Sequence, residues 1–458
     1  MDIDIEQTRM SAPNCQLIRK AHVQPFLIHS FIVVGLLAVA LPAQAVDTDI
    51  STDGWKLTVV ATQQAVTIDP LTLKSGSFDA KLEVGTPSWR GPTLLPGPAW
   101  AYNSLRADTL TARLTDDPKR VLVVGKDFLL DPLWASVATT KDGGLPAGTV
   151  VHFEFQYGLS RIDLIEKSPS GSLVVIKGVE DKSQPLLPNI TAGNTPLFSV
   201  YLPNSATALK PEMINRIDPN YDGVPPVING EPLKPIKEKL AAGKPVTIVF
   251  FGDSITAQEN KDMRDQKGSF VDRLAAYLKE IHPDRSVPVI PRGQPVPEPK
   301  DKQIVVAKAG VGGDDTVRAL KRIDADVLAH RPDLVVIMFG VNDENRRGDG
   351  NSVPVPVYKK NIELMVTKVR AAGGEPLLMT TSMKNRGWVG TVGNLSEYAQ
   401  AMREVAVAQK ACLVDNFTAW EDLPKRGYNY MVFLGNCINH PVDLGHDLFF
   451  RGLRSALK

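Results

Sequence analysis

The chain has 458 residues, with 52 Lys plus Arg against 51 Asp plus Glu and a formal net charge of +1. So even a balance, with no basic stripe interleaved with aromatics, argues against a nucleic acid or acidic polymer held mainly by charge. At this length and 43% hydrophobic content, the chain exceeds one ordinary domain and can fill more than one core.

Near the start, Arg19 and Lys20 precede an apolar stretch, 26–41, that ends in Pro42-Ala43-Gln44-Ala45. The stretch is shorter than the roughly 20 residues that span a bilayer. With its Ala-x-Ala ending it reads as a signal peptide over 1–45, so the chain is expected to be secreted or periplasmic, touching a membrane only through that peptide. Asp2, Asp4 and Glu6 are unusual in such a leader, and Met10 is an alternative initiator.

From 46 to 215 the texture is β-rich. Short runs at 55–61, 78–84, 120–124, 150–157 and 172–176 are separated by Gly, Pro, Asp and Ser turns. Residues 162–176 read as a hairpin turning at Ser168-Pro169-Ser170-Gly171. The expectation is an all-β, sandwich-like accessory domain. Its Trp89, Trp100 and Trp134 either stack on sugar rings or fill a core or interface. No repeat with a period of 20–50 residues is present. A Pro- and Gly-bearing stretch and a short helix make 216–243 the expected linker.

From 244 to 458 apolar runs alternate with amphipathic stretches. The runs are 246–251, 304–309, 334–339, 376–381 and 412–417, and the helical stretches are 269–281, 315–330, 358–372 and 395–410. Alternating strands and helices imply a right-handed parallel sheet covered on both faces, here a flavodoxin-like sheet of five strands. Polar clusters follow three of the runs: Gly252-Asp253-Ser254, then Gly310-Val311-Gly312-Gly313-Asp314-Asp315-Thr316, then Gly340-Val341-Asn342-Asp343. A fourth, from Asn439-His440-Pro441 to Asp443-Leu444-Gly445-His446, precedes the last helix. Such a sheet carries its ligand-facing residues at the C-terminal ends of its strands, so all four clusters are expected on one edge.

These four blocks, in this order, resemble the SGNH (GDSL) hydrolase superfamily over residues 244–458. The resemblance implies a serine esterase that needs no cofactor or metal, with Ser254 as nucleophile. It also implies an oxyanion hole formed by the N–H groups of Ser254 and Gly313 and the side-chain amide of Asn342. Gly310 and Gly312 compete with Gly313 for that role. A base for the serine must be a histidine if the mechanism is serine–histidine, and His282 and His330 both close helical stretches away from the site. That leaves His440 and His446. The family usually carries Asp-x-x-His-Pro; His440-Pro441 matches it, but Cys437 stands where the aspartate belongs. Asp443-Leu444-Gly445-His446 spells Asp-x-x-His, although Asp443 also reads as the N-cap of the last helix. His440 is the expected base and His446 its rival, with Asp443 or Asp415, Asn436 or a backbone carbonyl as the group orienting the ring.

In an oxidising compartment Cys412 and Cys437 are candidates for a disulfide, the alternative being two buried thiols. No Cys/His spacing suggests a metal site. The functional expectation is an exported esterase acting on carboxylic esters, with an acylated carbohydrate as substrate. The alternatives are a lipase, lysophospholipase or thioesterase of the same fold, or a catalytically impaired carbohydrate-binding or cell-surface protein.

Overall fold

The computed structural model describes residues 49–96, 101–140, 144–258 and 263–458. The expected signal segment 1–45 and Trp100 lie outside the described residues.

Val246–Gly252 is buried at every position, as a strand covered on both faces requires. It pairs in parallel with Ile304–Gly310 on one side and Leu334–Met338 on the other. Glu375–Met379 and Cys412–Val414 continue the parallel series outward. The five longer strands therefore lie in the order 2-1-3-4-5, which reverses direction around Val246–Gly252 and opens a crevice at its C-terminal end.

The sheet has seven strands rather than five. Val289–Ile290 adds a parallel strand at one edge and Val227–Ile228 an antiparallel one at the other. Prolines flank both: Pro288 and Pro291 bracket the first, and Pro225-Pro226 precede the second. Two residues carry no readable alternation, so neither edge was visible as a run. The last strand stops at Val414, short of the expected 417, because Asp415 caps the helix Asn416–Glu421 by accepting the Thr418 N–H.

The core of this half lies between the sheet and the helices Phe270–Ile281, Thr316–Asp326, Val355–Ala371, Leu395–Ala408 and Asp443–Leu457. Ser269 and Asp272 form a capping box that fixes the entry of the first helix. Phe251 meets Phe339 edge-on with centroids 5.0 Å apart, locking the first and third strands just below the crevice.

The region before residue 216 is β-rich, but it builds two small cores instead of one sandwich. In one, Lys74–Lys81, Val150–Tyr157 and Leu105–Leu114 form an antiparallel sheet covered by its own loops around Phe128 and Phe153. In the other, a three-stranded and a four-stranded sheet enclose Leu57, Ile165, Phe198 and Val200. The second contains the expected hairpin, Arg161–Lys167 against Leu173–Ile176, with Gly171 at φ +90° in its turn.

Segment 216–243 is built into the fold. Val227–Ile228 is an edge strand, and Asp218 N–H donates to the Lys425 carbonyl. The described residues fall in one compact unit. Trp134, Cys437 and Ile438 form a buried cluster bordered by Trp89, Tyr102, Trp388 and Met431, which joins the β-rich region to the loop before His440. Trp134 thus fills an interface rather than an exposed platform.

Cys412 and Cys437 are not joined to each other. Cys412 opens the last strand, at the N-terminal edge of the sheet, whereas Cys437 lies in the interface cluster on the loop leading to His440. Burial pushes both thiols up to about 11, which keeps them protonated and unreactive.

Candidate active site

Ser254 opens a one-turn helix, Ser254–Ala257, directly after the central strand. Asp253 caps it by accepting the Ile255 N–H at 2.9 Å. Gly252 is required here, because a Cβ would stand 2.9 Å from the Met338 carbonyl oxygen of the neighbouring strand and closer still to the Thr256 hydroxyl. Gly310 passes beneath the same turn, where a Cβ would lie 2.5 Å from Ala257 N. Glycine at these two strand ends lets the turn sit down on the sheet and leaves Ser254 half-buried at its edge.

Ser254 Oγ lies 2.8 Å from His440 Nε2. The histidine is carried by a loop folded around one side chain: Asn436 Oδ1 accepts the N–H groups of Ile438, Asn439 and His440, each at 2.9 Å. Gln258 fastens the next residue, its Nε2 donating to the Pro441 carbonyl at 3.1 Å.

His446 does not face Ser254. It is fully buried, stacked on Phe270 with the ring planes 11° apart, and both ring nitrogens are engaged. Nδ1 accepts the Phe270 N–H at 3.1 Å, so Nε2 bears the proton and donates to Gln258 Oε1 at 3.0 Å. Burial, with the charge of Arg273 adding, pulls its pKa down to about 3, and the ring is neutral.

The two expected acids occupy different surroundings. Asp415 has both oxygens engaged, Oδ2 by Arg403 Nε and Thr418 Oγ1 and Oδ1 by Thr380 Oγ1 and Arg403 Nη2. Asp443 begins the last helix rather than capping it, at the strained φ of +25°, and its Oδ1 accepts the Asp265 N–H at 3.1 Å. At Cys437 the apolar interface occupies the place of the family aspartate.

Gly313 sits at φ +72° on an open turn, with no atom within 4 Å of where a Cβ would be. Asn342 is 7% exposed, and its Nδ2 donates to the Asp314 carbonyl at 2.9 Å, tying the third block to the second.

Several residues that hold these blocks together carry no signal in the sequence. Arg322 reaches back from its helix to bond Asp314 at 2.7 Å, the Ala309 carbonyl at 2.7 Å and the Gly252 carbonyl at 3.0 Å. Asp343 accepts the Thr316 N–H at 3.0 Å and the Thr316 hydroxyl at 2.5 Å. Burial pushes the carboxyls of Asp253 and Asp343 up to about 7. Glu344 and Lys384 form an ion pair at 2.7 Å, shielded from water, beneath the third block. Among the described residues no three His, Cys, Asp or Glu side chains are grouped to hold a metal ion, and no helix is long and apolar enough to cross a membrane.

Residues 250–448 match the GDSL-like Lipase/Acylhydrolase family. Among curated proteins, an acetylxylan esterase of Geobacillus stearothermophilus is 24% identical over 227 residues, 46% of this chain and 93% of its own. An uncharacterized lipoprotein, YqeF of Bacillus subtilis, is 30% identical over 134 residues, 29% of this chain; the match spans about half, 47%, of the lipoprotein. Solved structures that resemble the chain include that of Axe2, an acetylxylan esterase from Geobacillus stearothermophilus, at 20% identity and TM-score 0.37, covering 46% of this chain and 94% of that one. Another is the lipase/acylhydrolase from Enterococcus faecalis, at 24% identity and TM-score 0.34, covering 46% and 95%. The segment 250–448 is thus a GDSL-like lipase/acylhydrolase domain.

Proposed function

We propose that the chain is an exported serine esterase that removes acetyl groups from a carbohydrate, with Ser254 as nucleophile and His440 as base. The observation that carries this reading is the 2.8 Å contact between Ser254 Oγ and His440 Nε2. A neutral His440 with its proton on Nδ1 accepts the Ser254 hydroxyl proton on Nε2 as Oγ bonds to the ester carbonyl carbon. The negative charge that develops on the carbonyl oxygen is received by the N–H groups of Ser254 and Gly313 and the second N–H of the Asn342 amide. Collapse breaks the C–O bond to the sugar, whose oxygen takes the proton from His440. Water then attacks the acyl-enzyme by the same route and releases acetate.

Of the two acids considered for orienting the His440 ring, Asp443 is the candidate, because Asp415 is fully engaged by Arg403, Thr380 and Thr418. The choice of an acetylated carbohydrate follows the activity named for the Geobacillus relative, and export follows the sequence of residues 1–45.

Purified protein is expected to release acetate from acetylated xylan and to hydrolyse p-nitrophenyl acetate but not p-nitrophenyl palmitate. Preference for the palmitate would replace this reading with a lipase, and full activity in Ser254→Ala would remove its mechanism.

A further inference from the structure

A cavity of about 210 Å³ lies between the β-rich region and the hydrolase loops. Tyr102, Ser183, Tyr201 and Asn204 line it from the β-rich side, and Asn429 and Cys437 from the other. The Cys437 wall is the backbone segment that carries His440 three residues later. Asn385 secures that wall, its Nδ2 donating to the Cys437 carbonyl at 2.8 Å and its N–H to the Ile438 carbonyl at 2.7 Å. A molecule filling the cavity would therefore rest against the loop of the proposed base.

The lining chemistry restricts what can bind. Among the described residues no carboxylate lines the cavity, and the one cationic side chain there, Lys182, turns its ammonium onto the carbonyls of Pro96, at 2.5 Å, and Leu95, at 3.4 Å. A charged ligand would enter without a counter-charge of its own. An apolar one would leave the lining hydroxyl and amide groups without partners. Burial pushes the Tyr201 phenol well above its ordinary pKa, so it stays a donor. Asn429 uses its Oδ1 to cap the turn at Met431, which leaves its amide N–H groups to the cavity. Neutral hydroxyl and amide groups beside tyrosine rings suit a ligand with many hydroxyls and apolar C–H faces. The volume, below the ~300–1,000 Å³ of drug-sized ligand pockets, suits a single ring rather than a long acyl chain.

We propose that this cavity is a subsite for one uncharged sugar unit of the substrate, built jointly by the β-rich region and the loop preceding His440. The inference rests on the carbohydrate-esterase reading for its biological sense, but the binding it asserts is independent of catalysis.

The test is calorimetric titration of the full chain, as Ser254→Ala, with xylotetraose, cellotetraose and tetragalacturonic acid. At least one neutral tetrasaccharide is expected to bind, and tetragalacturonic acid at least tenfold more weakly. Tyr201→Phe, Ser183→Ala and Asn429→Asp, which keeps the acceptor for Met431, are each expected to weaken binding at least fivefold. In the Ser254-bearing protein the same variants should hydrolyse p-nitrophenyl acetate within twofold of the parent. No binding of either neutral sugar, equal binding of the galacturonide, or binding unchanged in all three variants overturns the subsite. Sugar binding that follows the variants in a protein without esterase activity would overturn the catalytic reading and leave the subsite standing.

Discussion

His446 Nε2 lies 3.0 Å from Gln258 Oε1, and the same glutamine donates through Nε2 to the carbonyl of Pro441, the residue after His440. A buried neutral histidine thus holds the glutamine, and the glutamine holds the loop that presents the other histidine to Ser254. This linkage ties the two halves of the site together where the family aspartate is replaced by Cys437.

Gln258→Ala is therefore expected to lower kcat about tenfold, roughly 1.4 kcal/mol of barrier, with KM for p-nitrophenyl acetate changed less than twofold. Steady-state kinetics on folded protein separates positioning from packing. A lower melting temperature with unchanged kcat would mean that the glutamine serves only the fold.

His446 sets one arm of the pH dependence of stability. Its folded pKa of about 3 lies below the unfolded value near 6.5, so the unfolded chain binds more protons between those limits. The contribution is complete above about pH 6.5 and is lost as pH falls toward 3. His446→Gln is expected to cost about 1–3 kcal/mol at pH 7 through the lost ring contacts and a strained acceptor for Phe270 N–H. That cost should shrink on acidification, as followed by denaturant melts from pH 7 to 4.

Asp253 and Asp343 have the opposite sign. Their folded values near 7 lie above the ordinary aspartate value of 3.8, so their contribution is present below that value and is lost as pH rises through about 7. Asp343→Asn keeps an acceptor for Thr316 and is expected to be more favourable, relative to the parent, at pH 8 than at pH 4. Melting temperatures at the two pH values check it, and a parallel shift at both would contradict the raised pKa.

Asn342→Ala removes the amide that reaches Asp314 and, on the proposed mechanism, the oxyanion. It is expected to lower kcat by about 10²–10³-fold, corresponding to about 2.7–4 kcal/mol, measured with p-nitrophenyl acetate. Gly313→Ala has space for its methyl group but meets the φ of +72°, so its effect should come from backbone strain of about 1–2 kcal/mol.

Restoring the family residue should not help. Cys437→Asp would place a carboxylate among Trp134, Ile438 and the interface aromatics. It is expected to lower the melting temperature by several degrees without raising kcat/KM. A gain in activity would show that position 437 reaches the His440 ring.

Much of this was legible from local pattern. Each of the five longer strands overlaps a readable apolar run, Ser254, Gly313 and Asn342 stand in the polar clusters that follow three of those runs, and His440 stands in the cluster before the last helix. The remainder arises from tertiary contacts that leave no periodicity. Gln258, Arg322 and the Glu344–Lys384 pair are single polar residues whose partners are distant in sequence, and the edge strands are two residues long. Residues 46–215 show turns and short strands plainly, but how those strands divide between two cores depends on which sheets meet. The possible Cys412–Cys437 bridge failed for a similar reason: spacing says nothing about opposite edges of a sheet.

On the proposed mechanism Ser254 is the nucleophile and His440, not His446, its base. The most direct measurement is labelling of the purified protein with a fluorophosphonate, followed by peptide mapping, in the parent, His440→Ala and His446→Gln, each shown to be folded by its melting curve. A single adduct on Ser254 is expected in the parent, with its loss in His440→Ala and its retention in His446→Gln. An adduct elsewhere, or one that survives in His440→Ala and disappears in folded His446→Gln, would contradict it.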